Sequence, residues 1–335
     1  MSFLLRPLLA RAAAAAALAG CAITVQAQTI KLGHITPPTH VWHQIAMRMA
    51  AELEQTPGAV LRISVSPLAK LGNEPQMIQL MQAGAQQLGI ITVGALSNRE
   101  QSLQAWSLPY VFDDVAQASQ ASATPAARAM LERLQQHGLV GLGYAFAGMR
   151  HVLSLQPVRS AQDLAHKKIR SFPSPLYNDW WNAVGAAPTA MTLSEIAPSL
   201  TTGLLDAVDV DLDALVGMKL HYQAPYLTLT HHTAFPAMIV ASRKWWDALG
   251  EADRALLTRV VQDAQQWGVQ AAIDADRSNL EQARADGAQV VNADLQAFEA
   301  AGAQVREKYL SRNPLIAQFY TQARAAMQPP QSAAR

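Results

Sequence analysis

The sequence has almost no cysteine. Cys21 is its one thiol and sits inside an apolar stretch at the amino end. The rest of the chain therefore has no disulfide framework and no cysteine nucleophile. Charge is also sparse and evenly balanced: 26 basic against 25 acidic residues leave a formal net charge of +1. Such a balance does not draw a polyanion or a membrane surface, so nucleic acid is not expected as a partner. Beyond the amino-terminal stretch, no run reaches the roughly 18 uncharged apolar residues a spanning helix needs. No Gly-x-Ser-x-Gly string is present, which argues against a nucleophile-elbow hydrolase. Low charge does not imply disorder. Half of the 335 residues are hydrophobic, enough to bury large cores, and the length suits two domains rather than one.

The amino end has a different composition. Arg6 and Arg11 are followed by the small apolar run Ala12 to Ala19, with Val25 and Ala27 as small residues before a cleavage point. This is the pattern of an export signal over residues 1–27, and it is set aside from fold reasoning. Leu18-Ala19-Gly20-Cys21 also reads as a lipobox. Two readings therefore stand: an ordinary cut after Ala27, or a lipid anchor on Cys21.

The mature chain begins with alternation. Ile30-Lys31-Leu32-Gly33-His34 and Val60 to Val65 read as strands, with a helix from about His40 to Glu54 between them. A second helix opens near Pro75 and closes at Gly84. Leu88 to Val93 is a continuous apolar run of strand length, as in a sheet covered on both faces. Strand, helix, strand, helix, strand implies an α/β unit with crossovers. Leu139 to Phe146 is a further strand, and Val152-Leu153-Ser154 a short separate one. A second series follows: strand Lys168 to Ser171, helices Leu176 to Val184 and Ser194 to Leu200, strand Ala207 to Asp211. His232 to Ala241 is a strand apolar enough to return to the first unit. Ser242 caps a helix over Arg243 to Leu249, ended by Gly250. Glu251 to Arg284 keeps one apolar face through Leu256, Leu257, Val260, Val261, Ala264 and Trp267. A helix of that length serves as a strut. A last helix spans about Leu295 to Tyr309, and the tail after Pro329 reads as frayed.

Several strings share an order. They are Ile30-Lys31-Leu32-Gly33-His34, Ala95-Leu96-Ser97-Asn98, Leu108-Pro109-Tyr110-Val111-Phe112, Gly148-Met149-Arg150-His151, Lys168-Ile169-Arg170, Gly185 to Thr189 and Tyr226 to Thr230. Together they resemble the DctP-type solute-binding proteins of TRAP transporters, from Ile30 to about Asn292. The resemblance implies an α/β, two-lobed periplasmic-binding-protein fold with crossing hinge strands and a long helix bridging both lobes. It places lobe I at residues 28–147 plus 236–275, and lobe II at residues 148–235 plus 276–335 with the carboxyl-terminal helices. It implies a periplasmic, monomeric receptor without catalysis, metal or cofactor. Such a receptor binds a small organic acid and passes it to the small and large TRAP membrane subunits.

Arg170 ends a strand and precedes a Ser-Phe-Pro-Ser-Pro turn, the place where open α/β sheets hold ligands. Its guanidinium offers two parallel donors that match a carboxylate, and the resemblance makes it the ligand clamp. Arg150 is the second arginine the family places near the hinge and often uses for the same ligand, so the resemblance makes it a second ligand contact, with a tie between the lobes as its structural alternative. Many members read Asp-Gly-Gln-Glu-Asn where this chain has Asp206-Ala207-Val208-Asp209-Val210. Val210 thus stands at the position of a ligand-touching asparagine and cannot donate. Leu193 replaces an aromatic found in some members. These two departures point away from sialic acid and simple C4-dicarboxylates, toward a monocarboxylate such as a sugar, keto or hydroxy acid.

Asp209, Asp211 and Asp213 alternate and share one face of a strand. The expectation is an exposed or salt-bridged strand end, with Asp211 as a candidate acceptor for a ligand hydroxyl or amine. His34, Ile35 and Thr36 follow the first strand and Thr92 ends the third, so each is a candidate wall of the cleft. Trp180 or Trp181 offers an aromatic face, against core packing as the alternative. His34, His40 and His43 raise the rival of an exported metal-dependent hydrolase, but no third ligand or second shell accompanies them. A binding protein of an ABC-type transporter is the other rival.

Overall fold

A computed structural model describes residues 28–328. The export signal with its Cys21 alternative, and the tail from Pro329, lie outside the described residues. Ten strands are described: β1 (Gln28–Gly33), β2 (Leu61–Ser66), β3 (Leu88–Thr92), β4 (Leu139–Ser154), β5 (Lys168–Ser171), β6 (Ala187–Ala190), β7 (Ala207–Asp211), β8 (Tyr226–Thr228), β9 (Ala234–Ser242) and β10 (Gln289–Val291). They form the order β2-β1-β3-β9-β4-β7-β5-β6, with β8 and β10 added beside β4. β1, β2 and β3 are parallel, as are β5, β6 and β7.

β4 joins the two halves. Its first part, up to Met149, pairs antiparallel with β9. From Arg150 to Ser154 it pairs with β7 and β8. The sequence suggested two separate strands here, but the chain makes one strand of 16 residues. A register shift between Phe146 and Met149 lets it turn from one partner to the next. Gly148 lies in that shift. A Cβ there would sit 2.6 Å from Asp276 Oδ1, so any other residue would have to displace that carboxylate for the strand and the neighbouring helix to approach this closely.

The helices follow from their apolar spacing and caps. Val41–Gln55 buries Trp42, Ile45, Ala46, Met49 and Leu53 on one stripe. Its start is fixed by His40, whose Nδ1 accepts from the Trp42 amide at 3.1 Å. Glu74–Ala83 opens with a reciprocal Asn73–Gln76 capping box and closes on Gly84 at φ 83°. Glu251–Ala285 runs 35 residues, about 50 Å at 1.5 Å per residue. It packs on Val41–Gln55 and β4 in the first half and on the helix Leu212–Gly217 in the second, so one rigid element touches both.

Three expectations need correction. The helix after Ser242 ends at Trp246, and Gly250 at φ −64° caps the start of the long helix instead of closing the shorter one. A further helix, Pro314–Ala326, follows Gln296–Leu310. The carboxyl-terminal stretch does not all stay with the second half. Pro314–Ala326 packs against Val115–Ser122 and Pro125–Arg133, and Phe319 meets Trp106 at 4.5 Å between ring centroids. Burying Leu315, Ile316 and Phe319 in the first core outweighs chain proximity to the second.

No helix among the described residues is long and apolar enough to cross a membrane.

Candidate functional site

The carboxyl ends of β1, β3, β5 and β7 meet where the halves join. The contacts across that junction are specific. Asn98 donates its amide to the Pro173 carbonyl at 2.7 Å, and the Val41 amide donates to Asp213 Oδ2 at 2.7 Å. Between them lies a cavity of about 510 Å³, lined from one side by Ile35, Ala95 and Asn98 and from the other by Arg170, Phe172 and Met191. A recess of about 10 Å³ continues past Arg170 to Thr36, Arg150, Leu193, Asp209, Val210 and Asp211. That is about the room one water needs.

The two arginines differ in one respect that decides their roles. Arg150 is neutralised. Its guanidinium pairs with the Asp209 carboxylate and with the Asp209 carbonyl, and Nη1 reaches Asp211 Oδ2 at 3.5 Å. It also lies 4.1 Å over the Phe235 ring. Burial opposes its charge, but Asp209 leads a set of groups that raise its pKa above the usual value. Asp209 is held down at about 2: burial works against it, but Arg150 and then His232 stabilise the carboxylate. Asp211 is likewise held at about 2, by His40 and Arg150 against burial.

Arg170 is only 3% exposed, yet no carboxylate pairs with it among the described residues. Its one protein hydrogen bond runs from Nε to the Met191 carbonyl at 3.1 Å. The guanidinium lies 4.0 Å over Phe172. Burial, followed by the like charge of Arg150, lowers its pKa to about 10, so it remains charged at neutral pH with its fork free. A buried charge without a partner is costly. An anion entering the cavity removes that cost.

Glu74, after Asp209, is the second acid whose charge acts on it. Its carboxylate accepts from the Thr92 amide at 2.6 Å and the Thr92 hydroxyl at 2.9 Å. Burial raises its pKa to about 7 despite those bonds and the pull of Arg170. Above that pH its charge competes with any anion for Arg170. Affinity for an anionic ligand should therefore fall severalfold as pH rises from about 6 to about 8. Glu74→Gln keeps an acceptor for Thr92 and should flatten that dependence. Titration calorimetry at several pH values tests it; an unchanged slope in the variant would remove Glu74 from the account.

The structure brings together Arg170, Arg150, Thr36, Leu193, Val210 and Asp211 at the recess. Val210 also belongs to the apolar core beneath it. Three expected contacts are elsewhere. His34 bonds Thr36 Oγ1 at 2.9 Å and His43 at 3.1 Å, and burial with the two neighbouring histidines drops its pKa to about 3. Thr92 caps the short helix Val93–Leu96 and is bound by Glu74. Trp180 is buried among Trp181, Tyr110 and His232, because the helix Pro175–Val184 presents that face to Gln296–Leu310 and not to the cavity. The three aspartates are buried, so the salt-bridged form of the expectation holds, with Asp209 and Asp211 on Arg150, and only two are on the strand. Asp211 caps the helix Leu212–Gly217, accepting from Ala214 N at 2.9 Å, so Asp213 already lies in that helix.

Sequence reasoning missed Glu74 and Phe172. Phe172 is two residues past Arg170, a spacing that puts both on one face of an extended segment. Glu74 had no such signal, since it reads as an ordinary first-turn acid.

A family model described as bacterial extracellular solute-binding protein, family 7, matches residues 32–313. This chain belongs to that family. The solute-binding protein is 27% identical over 297 residues to a solute-binding protein of Roseobacter denitrificans, covering 88% of this chain and 90% of that one. It superposes on a TRAP periplasmic solute-binding protein of Pseudomonas putida F1, solved with bound D-glucuronate, at a TM-score of 0.85 and 27% identity, over 90% of this chain and 98% of the other. One from Polaromonas sp. JS666, bound to D-erythronate, gives a TM-score of 0.85 at 25% identity, over 90% and 100%. The solute-binding protein is thus a two-lobed, extracytoplasmic receptor of the TRAP type, and it is not an enzyme. Among the described residues, no group of three or more His, Cys, Asp or Glu is arranged to hold a metal.

Proposed function

We propose that this receptor binds a small monocarboxylate between its lobes, with the carboxylate on the Arg170 fork, and delivers it to the small and large TRAP membrane subunits from the periplasm. The observation that carries the reading is the contrast between the arginines. Arg150 has its charge matched by Asp209 and Asp211, and Arg170 does not. One uncompensated positive charge calls for one negative charge. D-Glucuronate and D-erythronate, held by the two solved relatives, each carry a single carboxylate.

Thr36, Leu193, Val210 and Asp211 shape the recess around that anion. Arg150 acts as a structural tie that sets the field without accepting the ligand's charge. Lobe I comprises residues 28–147 and 236–275 with the carboxyl-terminal helix. Lobe II comprises residues 148–235 and the helix Gln296–Leu310. The lobes close by bending at the β4 irregularity, since closure is driven by contacts the ligand makes only in the closed state. The receptor acts as a monomer, free after cleavage at Ala27 or tethered through Cys21.

A thermal-shift screen of organic acids tests this, because a ligand that binds only the native state raises the melting temperature. Monocarboxylates should raise it and their neutral amides should not. Equal shifts from an acid and its amide would end the proposal.

A further inference from the structure

The cavity beyond Arg170 is far larger than a carboxylate, and its remaining wall is short of free hydrogen-bonding groups. Ile35, Leu68 and Ile78 line it from one lobe, and Met191, Leu193 and Met218 from the other. Most of the polar side chains on the same wall already hold a bond within the protein. The Asn98 amide donates to Pro173 O. Glu195 accepts from the Thr192 amide at 2.8 Å and from its hydroxyl. Asn73 is held in its capping box with Gln76, and Glu74 in its bonds to Thr92. Arg99 and Ser194 also line the cavity and are exposed, so they are the polar side chains of this wall left open to a ligand.

We infer that the body of the ligand is apolar: the receptor takes an aryl or branched-alkyl monocarboxylate in preference to a polyhydroxylated sugar acid. This rests on the reading that Arg170 takes the carboxylate. A sugar hydroxyl carried against the apolar part of this wall would lose its water without gaining a partner, at a cost on the order of tenfold in affinity or more. An aryl or branched chain loses nothing of the kind, and covering Ile35, Met191 and Leu193 favours it in proportion to the area buried. Val210, standing where an amide side chain would have supplied a donor, points the same way.

Titration calorimetry on the purified receptor tests the preference with phenylacetate, 3-phenylpropionate and cyclohexanecarboxylate against D-glucuronate and D-erythronate. Phenylacetamide serves as the uncharged control. The apolar acids should bind about tenfold or more tightly than the sugar acids, and phenylacetamide should not bind measurably. Leu193→Asn should weaken the apolar acids and narrow the ratio. Sugar acids binding as tightly as the apolar acids, or more so, would overturn the inference and leave the Arg170 reading intact. Phenylacetamide matching phenylacetate, or no acid of either class binding, would instead remove the carboxylate reading itself and this inference with it.

Discussion

Arg170→Ala is expected to abolish measurable binding of the carboxylate ligand while leaving the empty receptor about as stable as the parent. The two effects separate because of the pairing in the site. In the complex, the guanidinium and the carboxylate form a desolvated, hydrogen-bonded ion pair, and truncating one partner of such a pair costs about 2–5 kcal/mol of binding. In the empty receptor the same guanidinium is buried without an acid, and burial has already brought its pKa to about 10. Alanine removes that unpaired charge, which stabilises the fold. It also removes the bond to Met191 O and the contact over Phe172, which destabilises it. The two nearly offset, to within about 1 kcal/mol. Arg170→Lys should also bind weakly, because a point charge cannot reproduce two parallel donors. Calorimetry and urea unfolding together decide the matter. An affinity within about threefold of the parent would show that the ligand is anchored elsewhere.

How much of this was legible depended on whether the responsible partner was near in sequence. β5 and β7 carry the bounds read from alternation, Lys168–Ser171 and Ala207–Asp211. The long helix was legible because 35 residues give the apolar stripe many turns in which to declare itself. β6 was not, since Ala187-Pro188-Thr189-Ala190 offers small residues around a proline, and β8 and β10 were not, since three residues carry no period. The helix Pro314–Ala326 had its signals: Asn313 as cap, Pro314 in the first turn, and Ile316, Phe319 and Ala323 at helical spacing. The continuity of β4 was hidden by Gly148, which reads as a break and is in fact a point where the long helix comes close.

In the site, Arg170 was legible from its place at a strand end. Its unpaired state was not, because that depends on which acids the fold gives to Arg150. Asp211 stands opposite Arg150 in the β4–β7 register, 61 residues away in the chain. Glu74 was hidden for the same reason, being set by Thr92 across 18 residues.

That distribution of acids also predicts the largest loss of stability. Asp209→Ala should cost about 3–5 kcal/mol, the expected effect of removing one partner of a buried ion pair. Arg150 would keep Asp211 at 3.5 Å but lose the carboxylate that carries most of its compensation. It would then face Arg170 with less negative charge between them, and His232 would lose its bond to Asp209 Oδ2. The pH dependence gives an independent signature. The folded-state pKa of Asp209 is lowered to about 2 from an ordinary 3.8. Its contribution is therefore complete above about pH 4 and is lost as pH falls toward 2. The variant should lose less stability across that interval than the parent, although it starts lower. Urea unfolding at neutral pH and melting curves through the acid range measure both quantities. A neutral-pH loss below about 1 kcal/mol would mean that Asp211 alone satisfies Arg150, and the account of why Arg170 is the arginine left free would have to be rebuilt. Replacing the pair together, Arg150→Met with Asp209→Leu, should recover much of the loss, since it removes the stranded charge along with its partner.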